Sequence, residues 1–368
     1  MFLIFDQFGF TGIYVFTVII STIITLVLFN TLLKENNNLI ISFFATILAV
    51  YVCGDYIFCS RNQMFSFLFF LLEFYCLHEL LKNGKKRYFI YLILIAFGLL
   101  CVHDTVYPIF FVILLPYLAE IVLRLFLKLK ETSKLEYSEL LNQKYLVLLF
   151  ILSIFIGFCT PLFGTAYSNL VSALGGVGVQ FVAEMQPVNI LNDFPIQIMV
   201  ILFFSIMCFT KTKLKIRDFL FIIGFLIMGI MNYRSYPFIY LIGIIPVINM
   251  LYSFLETYMT KEKLDKFFEK ISSSKIFVIV LSLMLLIVSL RNYSERINEL
   301  YIDDLAYPVE ETNYILNNLD YKNIRIWTHY NFGSYLEMYE IPVFVDSRAE
   351  MFIEQMNPGC TVLEDWNN

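Results

Sequence analysis

Four polar clusters interrupt the long apolar runs of this chain, and each holds residue types that do chemistry. They are Asp55 with Arg61-Asn62-Gln63, His103-Asp104 before Tyr107, Glu184-Met185-Gln186-Pro187, and Asn232-Tyr233-Arg234 before Tyr236-Pro237. Ionisable groups at the ends of apolar helices are costly to hold there, so they need a reason. A guanidinium forks onto phosphate and stays charged, which suits Arg61 and Arg234 to an anionic group. With Gln63 and Tyr233 they form the candidate substrate-binding set. Asp104 or Glu184 is the candidate general base or metal ligand, and His103 the candidate aid to proton transfer. Carboxylates beside a phosphate also suit a divalent metal. The plainer reading of each residue is an arginine that snorkels or a histidine that is merely hydrogen-bonded at a helix end. His78 and Glu79 fall under that plainer reading.

What gathers the four clusters is the distribution of positive charge. Lys and Arg fill every second polar break: Lys34; Lys82, Lys85, Lys86 and Arg87; Lys128, Lys130, Lys134 and Lys144; Lys211, Lys213, Lys215 and Arg217; Lys261 through Lys275. Basic loops stay in the cytoplasm, so the clusters, the N-terminus and the polar C-terminal tail are expected on the outer face of a cell membrane. Asp6 lies ahead of the first apolar segment, with no basic leader and no cleavage site. A first helix entering from outside raises the expectation that another helix precedes residue 1.

Hydrophobic residues make up 59% of the 368 and charged residues 15%. Mean hydropathy is +0.72. So little charge excludes an ordinary soluble domain and makes the lipid bilayer a partner. The acidic tail argues against a nucleic-acid surface. Seven cysteines are scattered without a CxxC pair, which argues against a structural zinc site.

The elements that must position these residues follow from apolar length, at roughly 17–25 residues per spanning helix. Spans are expected near 8–33, 39–58, 64–82, 88–102, 107–128, 145–163, 195–210, 218–232, 236–256 and 276–290. The fold class expected is mainly α: a polytopic transmembrane bundle of about ten spans over 1–291, then a small incomplete α/β extracytoplasmic domain over 292–368. Residues 129–143 read as a polar linker, and 164–193 as an interfacial or re-entrant segment. In the tail, 308–319 has helical spacing, 323–328 and 341–346 have the look of buried strands, and Gly333 reads as a turn between them. Asp346-Ser347-Arg348 ends the second strand, as a loop-fixing pair or as part of a site.

The run Tyr330-Asn-Phe-Gly333-Ser-Tyr335-Leu, followed by Ile341-Pro-Val-Phe-Val-Asp346-Ser-Arg348, resembles the "G-x-Y-L … V-F-I-D-x-R" signature of bacterial membrane proteins of the GT-C glycosyltransferase type. RNQMFSFLFF at 61–70 is similar to that group's "R-P-Q" helix start, with Asn62 in place of Pro. His103 matches the His of its "N-x-H" element, with Cys101 in place of Asn. CTPLFG at 159–164, AEMQP at 183–187 and NYRSYPF at 232–238 are similar to its "N-P-x-G", "E-x-x-P" and "x-x-R-x-x-P" stations. The resemblance implies transfer of sugar from a polyprenyl-phosphate carrier at the outer face, with Asp346 and Arg348 joining the substrate-binding set. Such proteins carry an acidic residue in an outer loop that would precede residue 1, and they continue past the Asp-x-Arg strand. The chain is therefore expected to be an incomplete or inactive member. The alternative is a transporter or flippase for a lipid-linked or anionic solute, using the same arginines. It predicts ionisable groups near mid-membrane, whereas Glu73 and Glu120 read as nearer helix ends. A third class is an assembly protein with the tail as its docking domain.

Overall fold

The computed structural model is mainly helical. It describes residues 2–131, 137–161, 163–168, 171, 186–273, 279, 283, 307–348, 352 and 359–367. The chain divides into two compact units: Met1–Val171 with Glu184–Phe268, and Ser172–Ala183 with Glu269–Asn368.

The first unit holds α1 (Phe2–Asn36, kinked at Gly9), α2 (Leu39–Val52), α3 (Gln63–Leu81), α4 (Arg87–Val102) and α5 (Pro108–Glu131). It continues with α6 (Tyr137–Ile156), α7 (Phe194–Phe209), α8 (Ile216–Met231), α9 (Tyr236–Leu241) and α10 (Ile244–Tyr258). α3 is the core helix. It packs mainly on α4 and α1, and Met64, Phe67, Phe70, Leu71, Leu77 and Leu80 are buried almost completely.

Polar residues set where these helices begin. Asn38 accepts from the Ile41 N–H at 3.0 Å and starts α2. Asp193 accepts from the Ile196 N–H at 2.9 Å and starts α7, with Pro195 in its first turn. Each cap satisfies an amide that the helix itself leaves unpaired.

These caps and the turns between helices correct the ten-span expectation. Among the described residues three helices are long and apolar enough to cross a membrane: Leu3–Asn36, Gln63–Leu81 and Asp104–Leu123. A fourth is the pair Tyr233–Leu241 and Ile244–Tyr258, bent by 43°. Leu39–Val52, Arg87–Val102, Gln143–Ile156 and Phe194–Phe209 are apolar but shorter. Sixteen residues of helix rise about 24 Å, against a hydrocarbon core of about 30 Å. Apolar composition runs on through the turns; helical geometry does not. Cys53 closes α2, for instance, and a one-turn helix, Gly54–Ile57, follows. The expected 276–290 span lies outside the described residues, which include only 279 and 283 of it.

In the second unit the expected helix is present as α11 (Val309–Asn318). The expected α/β domain is not: among the described residues there is no strand. The two segments read as strands meet in a single parallel bridge, Ile326 with Val343, through two backbone hydrogen bonds. Gly333 lies not in a turn but inside α12 (Tyr330–Glu337). A Cβ there would stand 2.2 Å from the Val345 carbonyl oxygen and 2.7 Å from the Asp346 Cα. The glycine thus lets the 345–346 backbone lie against the helix.

Candidate functional site

Four of the residues singled out from sequence converge. Arg61, Gln63, Tyr233 and Arg234 line one pocket of about 180 Å³ together with Asp55, Tyr56 and Cys59. Gln63 is the first residue of α3, and its Nε2 donates to the Arg234 carbonyl at 2.8 Å, across 171 residues of sequence. Asn232 closes α8, and its Oδ1 accepts from the Arg234 N–H at 2.9 Å, shaping the turn Tyr233–Ser235. The Tyr233 N–H donates to the Gln186 carbonyl and the Val188 N–H to the Ile230 carbonyl, both at 2.9 Å. The chain after the AEMQP run is therefore laced to the end of α8 by its backbone.

Phenol rings wall this region. Tyr56 lies 6.2 Å, centroid to centroid, from both Tyr233 and Tyr236, and those two are 5.8 Å apart. The Tyr236 hydroxyl donates to Asp193 at 3.4 Å. Two guanidinium-bearing residues, one carboxylate and a wall of phenols suit an anionic group that carries a ring or hydroxyls.

His103 closes α4, and its Nδ1 is hydrogen-bonded to the Ser66 hydroxyl at 2.7 Å. Burial pushes its pKa down to about 4, the Arg234 charge adds to the fall, and Asp104 opposes it. At neutral pH the ring is therefore neutral, with one nitrogen to donate and one to accept. It orients Ser66 on α3, one turn from Gln63. Asp104 is turned to its own loop: its Oδ1 accepts from the Thr105 N–H at 2.8 Å and from the Thr105 hydroxyl at 3.3 Å. It does not line the pocket; Asp55 does. Glu184 lies outside the described residues, two before Gln186.

Asp346 and Arg348 belong to the second unit. Arg348 Nε donates to both Asp346 oxygens, at 2.9 and 3.0 Å, and its Nη2 to both Glu337 oxygens, at 2.9 and 3.0 Å. Burial opposes ionisation of Asp346, but the Arg348 hydrogen bonds outweigh it and hold the carboxyl below its usual range. Glu337 goes the other way, raised by burial and by the Asp346 charge against the pull of Arg348. Tyr330 and Ser334 of α12 bond to Ser347. This triad anchors the 346–348 loop on α12, which is the loop-fixing role. His329 caps α12, accepting from the Asn331 N–H at 3.3 Å.

Sequence reading passed over a larger feature at the opposite end of α3. A cavity of about 810 Å³ is lined by residues including Glu35, His78, Tyr117, Arg217, Asp218 and Asn249. Glu35 bonds to His78 at 2.8 Å and lies 3.7 Å from Arg217, which pairs with Asp218 at 2.9 Å. Glu79 pairs with both Lys34 and Lys85. The available signal was acid–base adjacency, Lys34-Glu35 and Arg217-Asp218, inside breaks that read simply as basic. Glu73, read as nearer a helix end, is the eleventh of the nineteen residues of α3 and wholly buried.

As for the divalent metal, among the described residues no group of three His, Cys, Asp or Glu side chains gathers to hold one. Among the described residues Asp55 is the single carboxylate lining the arginine pocket, so the described residues by themselves do not make a metal centre. No protein-family model matches the chain, and neither a curated protein nor a solved structure matches it.

Proposed function

We propose that the chain is a glycosyltransferase-like membrane protein of the GT-C type, taking sugar from a polyprenyl-phosphate donor at the end of the bundle where Arg61 and Arg234 meet. The observation that carries this reading is the pocket itself, which joins two arginines, Gln63, Tyr233 and Asp55 from two stretches of sequence, with 171 residues from Gln63 to Arg234. That end faces outward if the lysine-rich breaks stay in the cytoplasm, which also places the N-terminus and the second unit outside. Arg61 and Arg234 hold the donor phosphate, charged throughout and able to bond it in pairs. The sugar lies against the Tyr56 and Tyr233 rings. An acceptor hydroxyl attacks the anomeric carbon as the bond to the phosphate oxygen breaks. The polyprenyl phosphate leaves with the electron pair, and the hydroxyl proton passes to a carboxylate. Asp55, inside the pocket, joins Asp104 and Glu184 as a candidate for that base.

The test is transfer of radiolabelled sugar from polyprenyl phosphates in vesicles containing the full chain or its Arg234→Ala variant. Loss of one preorganised donor to a developing phosphate charge lowers turnover by about 10²–10³-fold. Equal turnover in the two would remove Arg234 from the site.

A second reading, a transporter or flippase for a lipid-linked or anionic solute, draws support from Glu73 at the middle of α3 and from the larger cavity at the other end. Solute movement across vesicles lacking any sugar transfer would favour it.

A further inference from the structure

Glu73 lies in the interior of the core helix α3. It is 0% exposed, and neither carboxyl oxygen has a hydrogen-bond partner among the described residues. Ten residues separate it from Gln63 and eight from Leu81, so it sits about 15 Å from one end of α3 and about 12 Å from the other. An ionised carboxyl enclosed there without a partner would cost many kcal/mol, so its resting form is the neutral acid. No packing need calls for an acid at this position: Leu or Met would fill the same space.

The surroundings supply a route. Tyr117 of α5 lines the large cavity together with Leu77, one turn beyond Glu73 on α3. Its ring is 6.5 Å from that of Phe74, the residue next to Glu73. On its other side Tyr117 faces the Arg217 guanidinium, 5.1 Å from the ring centre, and the fields of Glu35 and Asp218. Other ionisable groups that interact electrostatically with Glu73 are Cys76, on its own helix, and Tyr107, just before α5. A phenol can accept a proton at oxygen while releasing its own, and is regenerated by the exchange.

We propose that Glu73 is a proton-binding site at the centre of the helical unit, loaded and unloaded from the cavity beside Glu35, His78 and Arg217 by way of the Tyr117 phenol. On loading, a hydronium in the cavity gives its proton to the Tyr117 oxygen and leaves as water, while the original phenolic proton passes to the Glu73 carboxylate as the two side chains swing into contact, and the carboxylate becomes the acid. Unloading reverses each transfer, so nothing is oxidised and no other reactant is needed. The site stands apart from the arginine pocket and does not depend on the transferase reading.

The experiment is infrared spectroscopy of the full chain in phospholipid vesicles as H₂O is replaced by D₂O. The wild type should show a protonated-carboxyl band that is missing from Glu73→Gln and that shifts when D₂O is added. In Tyr117→Phe the shift should slow by about a hundredfold, since the positioned proton carrier is gone. A band that persists in Glu73→Gln, or one that never shifts in D₂O, would overturn the site. An unchanged rate in Tyr117→Phe would overturn the route. Should Glu73→Gln fail to fold, Glu73→Asp keeps the carboxyl, and the band should then be displaced rather than lost.

Discussion

At one end of the helical unit Lys34 and Lys85 both reach Glu79, and Arg217 joins Asp218 and Glu35. At the other end Gln63 reaches a backbone carbonyl, the Val188 and Tyr233 amides tie a loop to a helix terminus, and three phenol rings lie together. The first end thus carries a cluster of ion pairs around a large cavity, and the second carries backbone hydrogen bonds and ring contacts around a small one. Charges that neutralise one another shape a scaffold. The same residue type, arginine, therefore sits in two settings: Arg217 within an ion-pair cluster, and Arg61 and Arg234 in the lining of a small pocket.

Arg217→Ala is the most severe way to test that contrast. It leaves Glu35 and Asp218, both nearly buried, without their cation, and should lower unfolding stability in detergent by about 3–5 kcal/mol. Gln63→Leu comes next. It strips the Arg234 carbonyl of its donor and should cost about 1–2 kcal/mol, read from the same unfolding curves. If it cost more than Arg217→Ala, the division between the ends would fail.

His103 provides a pH test of the neutral end. Its folded-state pKa is depressed to about 4 from 6.5, so between those values the unfolded chain binds the proton and the folded chain does not. Stability from this residue is whole above pH 6.5 and declines as pH falls toward 4. Comparing unfolding across that window, the slope should be shallower in His103→Asn than in wild type. The smallest effect is expected for Lys85→Ala. Its side chain is 44% exposed and Glu79 keeps Lys34, so the loss should stay below about 1 kcal/mol.

The convergence of Arg61, Gln63, Tyr233 and Arg234 was legible because charge alternation sorts helix ends into two compartments, and residues sharing an end can meet. What sorting cannot do is choose among neighbours. It named Asp104 as a base, and that side chain bonds to Thr105 outside the pocket, while Asp55 of the first cluster lines it. Helix number suffered for a related reason: hydropathy sums apolar character, whereas Cys53 by its amide and Asp193 and Asn232 by their side-chain oxygens set where helices end or begin. Glu73 was missed because one acid in an apolar run looks like the edge of a span. Gly333 was misread because a glycine needed for close backbone approach has the same letter as one needed for a turn. The paired segments around Ile326 and Val343 do run side by side, but a single bridge between them makes no sheet.

Arg234 is fastened on both sides by atoms that every amino acid shares: its own amide and carbonyl are engaged, and so is the amide of Tyr233 before it. The mount is independent of the tool it carries. Exchanging that one side chain for Gln or Glu should therefore change the charge lining the pocket while the surrounding chain keeps its path.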